Sequence, residues 1–462
     1  MTTEATTARH EERMASHFRS LINDLKRRPE DAAADLGISL QDVEEILSGK
    51  VEISREIIDK ALSVWPISPR DFFLIRDDSP EGVKIMRAEA SKNSARVMSR
   101  AGKDYYEYRD TAMSSVAAFR PEWIEELCIV EDNDPENPAV QWNNGHFLHQ
   151  FTYFVGPVNF YYRDGEGNKK VAVMNTGDSM YISPFVPHSF ATRKNDKDEL
   201  GLILALTYAN KLGGEPQQEL SLFGLEQAAN LVWDFSSEAK ASGSLVRFHR
   251  EAISMPQDFL ASQLGVDVGS IEALESGSHE ISFELLQSVA NVLDVPVREL
   301  MPTGAGEDSV KTRTREECRQ WNMVNEAGEA VYRLAELTGS PTLPYSKALE
   351  ISVTEVSQSS PAWLRAGLHQ YVYNLGKNPV TLRWHFGSES YEDEIEPGAS
   401  FYMKPGVKHA YSSAEATLLV LRIGGRVGGD VLHELAQIGS EHLGRVVNES
   451  MQWFDPKGRK NV

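Results

Sequence analysis

The chain is poor in cysteine, has no long apolar run and is short of positive charge. Cys128 and Cys318 are its only cysteines among 462 residues; they lie in unrelated surroundings with no CxxC pair. That excludes a disulfide framework and a cysteine-rich zinc site, and both are expected as buried filling. No run approaches the roughly 20 apolar residues that cross a bilayer. The N-terminus, MTTEATTARHEERMASHF, lacks the apolar core of a signal peptide, so a soluble cytoplasmic protein is expected. Lys and Arg number 47 against 68 Asp and Glu, a net charge of -21 that repels phosphate backbones and weighs against nucleic acid as a partner.

What is present is a length beyond one ordinary core, and a pattern written twice. AAADLGISLQDVEEILSGKVEIS, residues 32–54, aligns with LASQLGVDVGSIEALESGSHEIS, residues 260–282, so that Leu36-Gly37 matches Leu264-Gly265 and Glu52-Ile53-Ser54 matches Glu280-Ile281-Ser282. Each copy reads as short helices around a Leu-Gly turn, the second helix begun by a Ser cap in one copy and a Val-Gly cap in the other. Downstream, HQFTYFVGPVNFYYRDG and HQYVYNLGKNPVTLRWHFG alternate and turn as antiparallel strands, and His188 and His409 each follow a turn glycine, Gly177 or Gly398, by eleven residues.

The expected fold class is α+β, a tandem repeat of a helix-turn-helix-like module followed by a cupin barrel of the double-stranded β-helix type. The expected boundaries are a helical module at 1–84, a barrel with the metal site at 85–215, a helical connector at 216–244, a second module at 245–305 and a degenerate, metal-free barrel at 306–462.

Cupin barrels commonly hold a metal at their mouth through imidazoles from separate strands. Here the candidates sit in NNGHFLHQ and GDSMYISPFVPHSF. On a strand His146 and Gln150 share one face while His149 points the other way, so either set could face inward. Four residues of straight strand span about 13 Å, so the chain must curl near Asn144-Gly145 if both His146 and Gln150 bind one ion. In the second copy Gln370 and His409 recur but Ala366 stands at the place of His146, which points to a barrel without metal.

NNGH at 143–146, the segment ending in His188 and RAGKDYYEY at 100–108, within the tandem layout, resemble the family of 2-hydroxyethylphosphonate dioxygenase and methylphosphonate synthase, over nearly the whole chain. In the dioxygenase branch a Glu six residues before the second His completes the ligand set; here that residue is Ile182. The synthase branch uses a Gln four residues after the first His, and Gln150 stands there. The resemblance therefore implies Fe(II) held by His146, Gln150 and His188, and substrate contacts from Arg100, Tyr108, Asn143 and Lys26, the last from this chain or another. It implies carbon-carbon cleavage of 2-hydroxyethylphosphonate with O2, without 2-oxoglutarate, to methylphosphonate and a one-carbon product (CO2 or bicarbonate). The alternative is the sister reaction to hydroxymethylphosphonate and formate.

Two readings of other classes compete. Helix-turn-helix plus cupin is also the layout of small-molecule-sensing transcription regulators, but SLQDVEEILSGK and its counterpart are acidic where DNA would lie. A zinc or manganese cupin isomerase is the other. The paired apolar faces point to a homo-oligomer.

Overall fold

The computed structural model describes residues 3–72, 74–117, 119–208, 211–304 and 308–447. The end of the expected second barrel, 448–462, lies outside the described residues.

Two groups of helices precede the two runs of strands. Helices Thr3–Asp24, Pro29–Leu36, Leu40–Leu47 and Arg55–Val64 enclose Phe18, Ile22, Val43, Ile46, Ala61 and Trp65. Helices Glu238–Ala252, Gln257–Leu264, Val268–Glu275 and Phe283–Leu293 enclose Val246, Leu260, Ile271 and Val289. Gly37 and Gly265 terminate the matching second helices of the two modules in left-handed conformations, φ 71° and 70°. Ser39 caps the next helix by accepting from the Asp42 backbone, as expected. In the second copy the cap is Asp267, accepting from Ser270, rather than the expected Val-Gly pair, because an Asp oxygen satisfies an orphan N–H that neither Val nor Gly can reach.

The rest is antiparallel sheet, apart from one short parallel pairing at the edge between Ile129–Val130 and His188–Arg193. In the first half a seven-stranded sheet faces a four-stranded one; in the second half a seven-stranded sheet faces one of three strands. The two large sheets repeat one strand order. From His149–Val155 in the first and His369–Asn374 in the second, each runs outward through equivalent partners.

Alternation along the strands separates three cores. Phe154, Ile182, Ile203 and Ile124 fill the space between the first pair of sheets, and Val372, Phe401, Leu418 and Leu382 that between the second. On the opposite faces Phe151, Tyr153, Leu204 and Leu206 meet Tyr371, Tyr373, Leu419 and Leu421, so the large sheets pack back to back. Roughly 150–250 Å² of apolar surface is buried by each aromatic in such a layer, which makes it a main source of cohesion.

Two strands are exchanged. Val83–Met86, just after the first helical module, pairs with Ser400–Met403 of the second half, and Val310–Arg313, just after the second module, pairs with Ser179–Ile182 of the first. Tyr153 donates to Glu350 at 2.7 Å and Arg315 bridges to the same carboxylate at 2.8 Å, tying the halves further. The helices Glu215–Phe223 and Leu225–Ala229 follow the first half and leave Leu222 and Leu225 strongly exposed. Both cysteines are free thiols; Cys318 is buried as expected, Cys128 only half-buried. Among the described residues no helix is long and apolar enough to cross a membrane.

Candidate metal centre

Strand His149–Val155 directs Gln150, Thr152 and Phe154 into the first core and His149, Phe151 and Tyr153 toward the layer between the halves. His149 is therefore held away from the other candidates. Its Nδ1 lies 2.8 Å from the Tyr181 hydroxyl and its ring stacks on Tyr181 and Tyr208.

His146 sits not on the strand but in the irregular segment before it. The turn needs Gly145: its φ is 75°, and a Cβ there would lie 2.5 Å from the Phe185 backbone. The Phe185 N–H donates to the His146 carbonyl at 2.7 Å, locking the curl. As a result His146 Nε2 comes within 3.0 Å of Gln150 Oε1, across a gap that a straight strand would have kept near 13 Å.

The donor chemistry of this pair suits a cation. His146 Nδ1 lies 2.9 Å from the Leu148 carbonyl, so its proton belongs there and Nε2 presents a lone pair. Gln150 Nε2 donates to Thr152 Oγ1 at 2.9 Å, which turns the amide oxygen toward His146. Two acceptors then face each other at 3.0 Å. Ligands bound at about 2.1 Å and at right angles around one ion lie about 3 Å apart, so a metal between them removes the repulsion.

His188 begins strand His188–Arg193 and is buried. Its ring stands perpendicular to that of His146, centroids 5.2 Å apart. Nδ1 donates to the Val186 carbonyl at 2.8 Å, so Nε2 carries the lone pair, and it accepts from Asn143 Nδ2 at 3.1 Å. Burial lowers its pKa to about 4 against the opposing pull of that carbonyl, helped by the nearby His146 and Arg100, so the imidazole is neutral and able to ligate at pH 7.

Ile182 is fully buried and lies directly across the ladder from Gln150. Cross-strand partners have Cβ atoms about 5 Å apart, so a donor at either position reaches the same point. Among the described residues no three His, Cys, Asp or Glu side chains gather as a metal cluster.

Asn143 Oδ1 accepts from the backbone of both Gly145 and His188 at 2.9 Å, so this residue holds the turn and a ligand strand together. Arg100 donates to the Gln141 carbonyl at 2.8 Å with its guanidinium 4.7 Å above the Tyr106 ring. Tyr108 meets Tyr106 edge to face at 5.9 Å, and burial, with the Glu122 and Glu126 charges, pushes its phenol up to about 12. Lys26 is not gathered into this group: it is exposed in the turn after the first helix, its Nζ 3.3 Å from the Asp24 carbonyl.

Three residues escaped the sequence reading. Thr152 orients the Gln150 amide. Glu126 is fully buried, with no hydrogen-bond partner for either carboxyl oxygen among the described residues. Burial drives its pKa well above the carboxylate range, opposed by Arg100. Burial also raises Glu122, on the same face. The signal was legible in strand Arg120–Glu126, where a period of two puts Glu122 and Glu126 on the face of apolar Ile124.

A helix-turn-helix family model matches residues 246–300. The chain is 46% identical to a methylphosphonate synthase of Nitrosopumilus maritimus over 446 residues, 96% of each chain. It resembles, at 37% identity and a TM-score of 0.88, the solved structure of Streptomyces albus HEPD with 2-hydroxyethylphosphonate and Fe(II) bound, over 98% of this chain and 100% of that one. A structure of native PhpD with cadmium atoms shares the fold at 19% identity and a TM-score of 0.72, over 94% and 99%.

Proposed function

The chain belongs to the family of methylphosphonate synthase and 2-hydroxyethylphosphonate dioxygenase, and on that premise we propose that it cleaves 2-hydroxyethylphosphonate to methylphosphonate at a single iron. It is an iron(II) oxygenase of that substrate. The overall change balances with one O2 and nothing else: 2-hydroxyethylphosphonic acid and dioxygen become methylphosphonic acid, carbon dioxide and water. No 2-oxoglutarate is required.

We assign each half to a cupin-type β-helix, with the iron in the first, bound by His146, Gln150 and His188. The observation that carries the assignment is the approach of His146 Nε2 to Gln150 Oε1, 3.0 Å, with Ile182 across the ladder where the dioxygenase branch has its carboxylate. Iron supplies a Lewis-acidic centre with open positions at which dioxygen and a chelating substrate meet.

The chain's own residues handle charge and position. An amide ligand leaves the centre one negative charge short of the carboxylate version, and the phosphonate restores it. Arg100 supplies a fixed cation on its Tyr105–Tyr106 platform. Tyr108 stays protonated near neutral pH and donates to an anionic oxygen. Asn143, already bound to the His188 backbone, offers its amide N–H groups to the same ligand. Lys26 adds a second cation. The segment leaving its helical module runs along the other half, with Trp384 donating to the Glu81 carbonyl and Lys404 paired with Asp77, and we assign the lysine to the site of this chain or of a neighbouring copy. Exposed Leu222, Leu225 and Val232 support such self-association.

The helix-turn-helix match favours a regulator only by fold. In helix Leu40–Leu47 the surface side chains include Asp42, Glu44 and Glu45, which supports a structural role and no DNA contact. A cytoplasmic location agrees with the free thiols.

Phosphorus NMR of an aerobic reaction of the iron-loaded protein with 2-hydroxyethylphosphonate tests the assignment. A methylphosphonate signal is expected; hydroxymethylphosphonate as the main product refutes the synthase reading.

A further inference from the structure

The second half keeps a cluster of polar side chains at the place that answers the candidate ligands of the first half. The same backbone bond marks both places: Phe185 N–H donates to the His146 carbonyl, and Gly406 N–H to the Ala366 carbonyl, each at 2.7 Å. Gln370 lies across the ladder from Arg422 as Gln150 does from Thr207. A guanidinium thus stands in the second half where the first has a small hydroxyl.

Three polar groups converge there without partners among the described residues. His409 and Tyr411 are fully buried, and neither His409 Nε2 nor the Tyr411 hydroxyl is hydrogen-bonded. Arg422 spends its Nε on Gln370 Oε1 at 2.9 Å, and its two terminal amino groups have no partner among the described residues. Leaving a buried polar group dry is costly, and two of them, His409 Nε2 and the Tyr411 hydroxyl, beside the unpaired end of a half-buried guanidinium call for a ligand. Ala366 removes the imidazole volume that fills the first site. A Cβ added at Gly367 or Gly406 would meet nothing within 4 Å, so the end next to Ala366 is open.

The donor pattern selects the ligand. Arg422 offers a two-pronged cationic donor and Tyr411 an O–H. His409 differs: its Nδ1 donates to the Val407 carbonyl at 3.0 Å, which leaves Nε2 an acceptor. Burial, with Arg422 adding to it against the Val407 carbonyl, lowers that imidazole to about 4 and keeps it neutral. A bare carboxylate would satisfy the arginine and the tyrosine and leave the histidine unpaired. We infer that the pocket of Arg422, Tyr411 and His409 binds a small oxyanion that keeps one O–H, either bicarbonate or a phosphonate monoanion. The anion's oxygens face Arg422 and Tyr411 and its O–H donates to His409 Nε2.

Calorimetric titration of the iron-loaded protein near neutral pH, with bicarbonate, methylphosphonate and formate as separate probes, tests this. One of the first two is expected to bind, with formate at least about tenfold weaker for want of the O–H. Tyr411→Phe, which removes only a hydroxyl, should weaken binding about tenfold, and Arg422→Gln more. Which of the two probes binds tells carbonate from phosphonate chemistry. Binding that survives Arg422→Gln and Tyr411→Phe but disappears in Gln150→Ala belongs to the first site and overturns the proposal. So does the absence of binding by either probe at millimolar concentration, which would leave the pocket to water.

Discussion

The two halves of this chain share a topology and differ at four positions that decide what each can hold. His146 is answered by Ala366, Ile182 by Met403, Thr207 by Arg422 and Glu126 by Val353. Gln150 with Gln370 and His188 with His409 are the pairs that both halves keep. The first half adds a second imidazole and a small hydroxyl; the second adds a fixed positive charge that repels a metal cation. One backbone thus serves opposite electrostatic ends, and the side chains of a few inward-facing positions choose between them.

The largest test of that contrast is to convert one half into the other. Ala366→His combined with Arg422→Thr should raise bound iron from about one to about two ions per chain, read by metal analysis after anaerobic loading, because it restores the donor set and removes the competing cation. Ala366→His alone should add none. If the double variant also stays at one, the Arg422 argument fails.

Removing the third donor from the working half comes next. Gln150→Ala should lose at least about 100-fold in turnover, with a fall in iron retained on desalting. Full iron and full activity would return His149 to consideration, despite its place between Tyr181 and Tyr208.

A smaller effect concerns the cation that the fold does not gather. Lys26→Ala should raise the Michaelis constant for 2-hydroxyethylphosphonate about tenfold, with little change in turnover number, as expected for a lost charge-assisted hydrogen bond. An unchanged Michaelis constant would leave Lys26 as a solvated surface residue.

The smallest test uses the buried acid that the second half lacks. Glu126 has a folded pKa raised well above its unfolded value of about 4.5. The folded state therefore retains a proton that the unfolded state releases as pH rises past that value. The stability contribution is present at low pH and is lost progressively as pH climbs toward the folded pKa, by about 1.4 kcal/mol per unit. Glu126→Gln should be more stable than the parent at pH 7 and equal to it near pH 4, by chemical denaturation at both. A gain that does not vary with pH would place the Glu126 carboxylate in an ionised state.

The halves also separate what local pattern carries from what it does not. Helix caps such as Ser39, the Leu-Gly turns and the alternation in HQFTYFV involve residues a few positions apart, so their physics is complete in a short window of chain. The facing of His149 away from Gln150 follows from the same period of two. The cap of the second copy falls to Asp267 because Val268 and Gly269 have no side-chain acceptor, and the exchange of Val83–Met86 and Val310–Arg313 between the sheets leaves no mark within either strand. Pairing partners are set by back-to-back packing of the large sheets, hundreds of residues apart.

By itself the sequence determined the α+β composition, the doubled helical pattern, and the short list of His, Gln, Asn, Arg and Tyr residues from which a site had to come. It also determined that Ile182 could not be a ligand, since a hydrocarbon has no lone pair. Only the tertiary structure decided that His146 and Gln150 meet. That required a left-handed Gly145 pressed against Phe185, a contact between segments 40 residues apart, which no periodicity along one strand encodes. It alone also decided that Arg422, on a strand far from Ala366 in sequence, meets Gln370, because which side chains become neighbours is fixed by strand order and register.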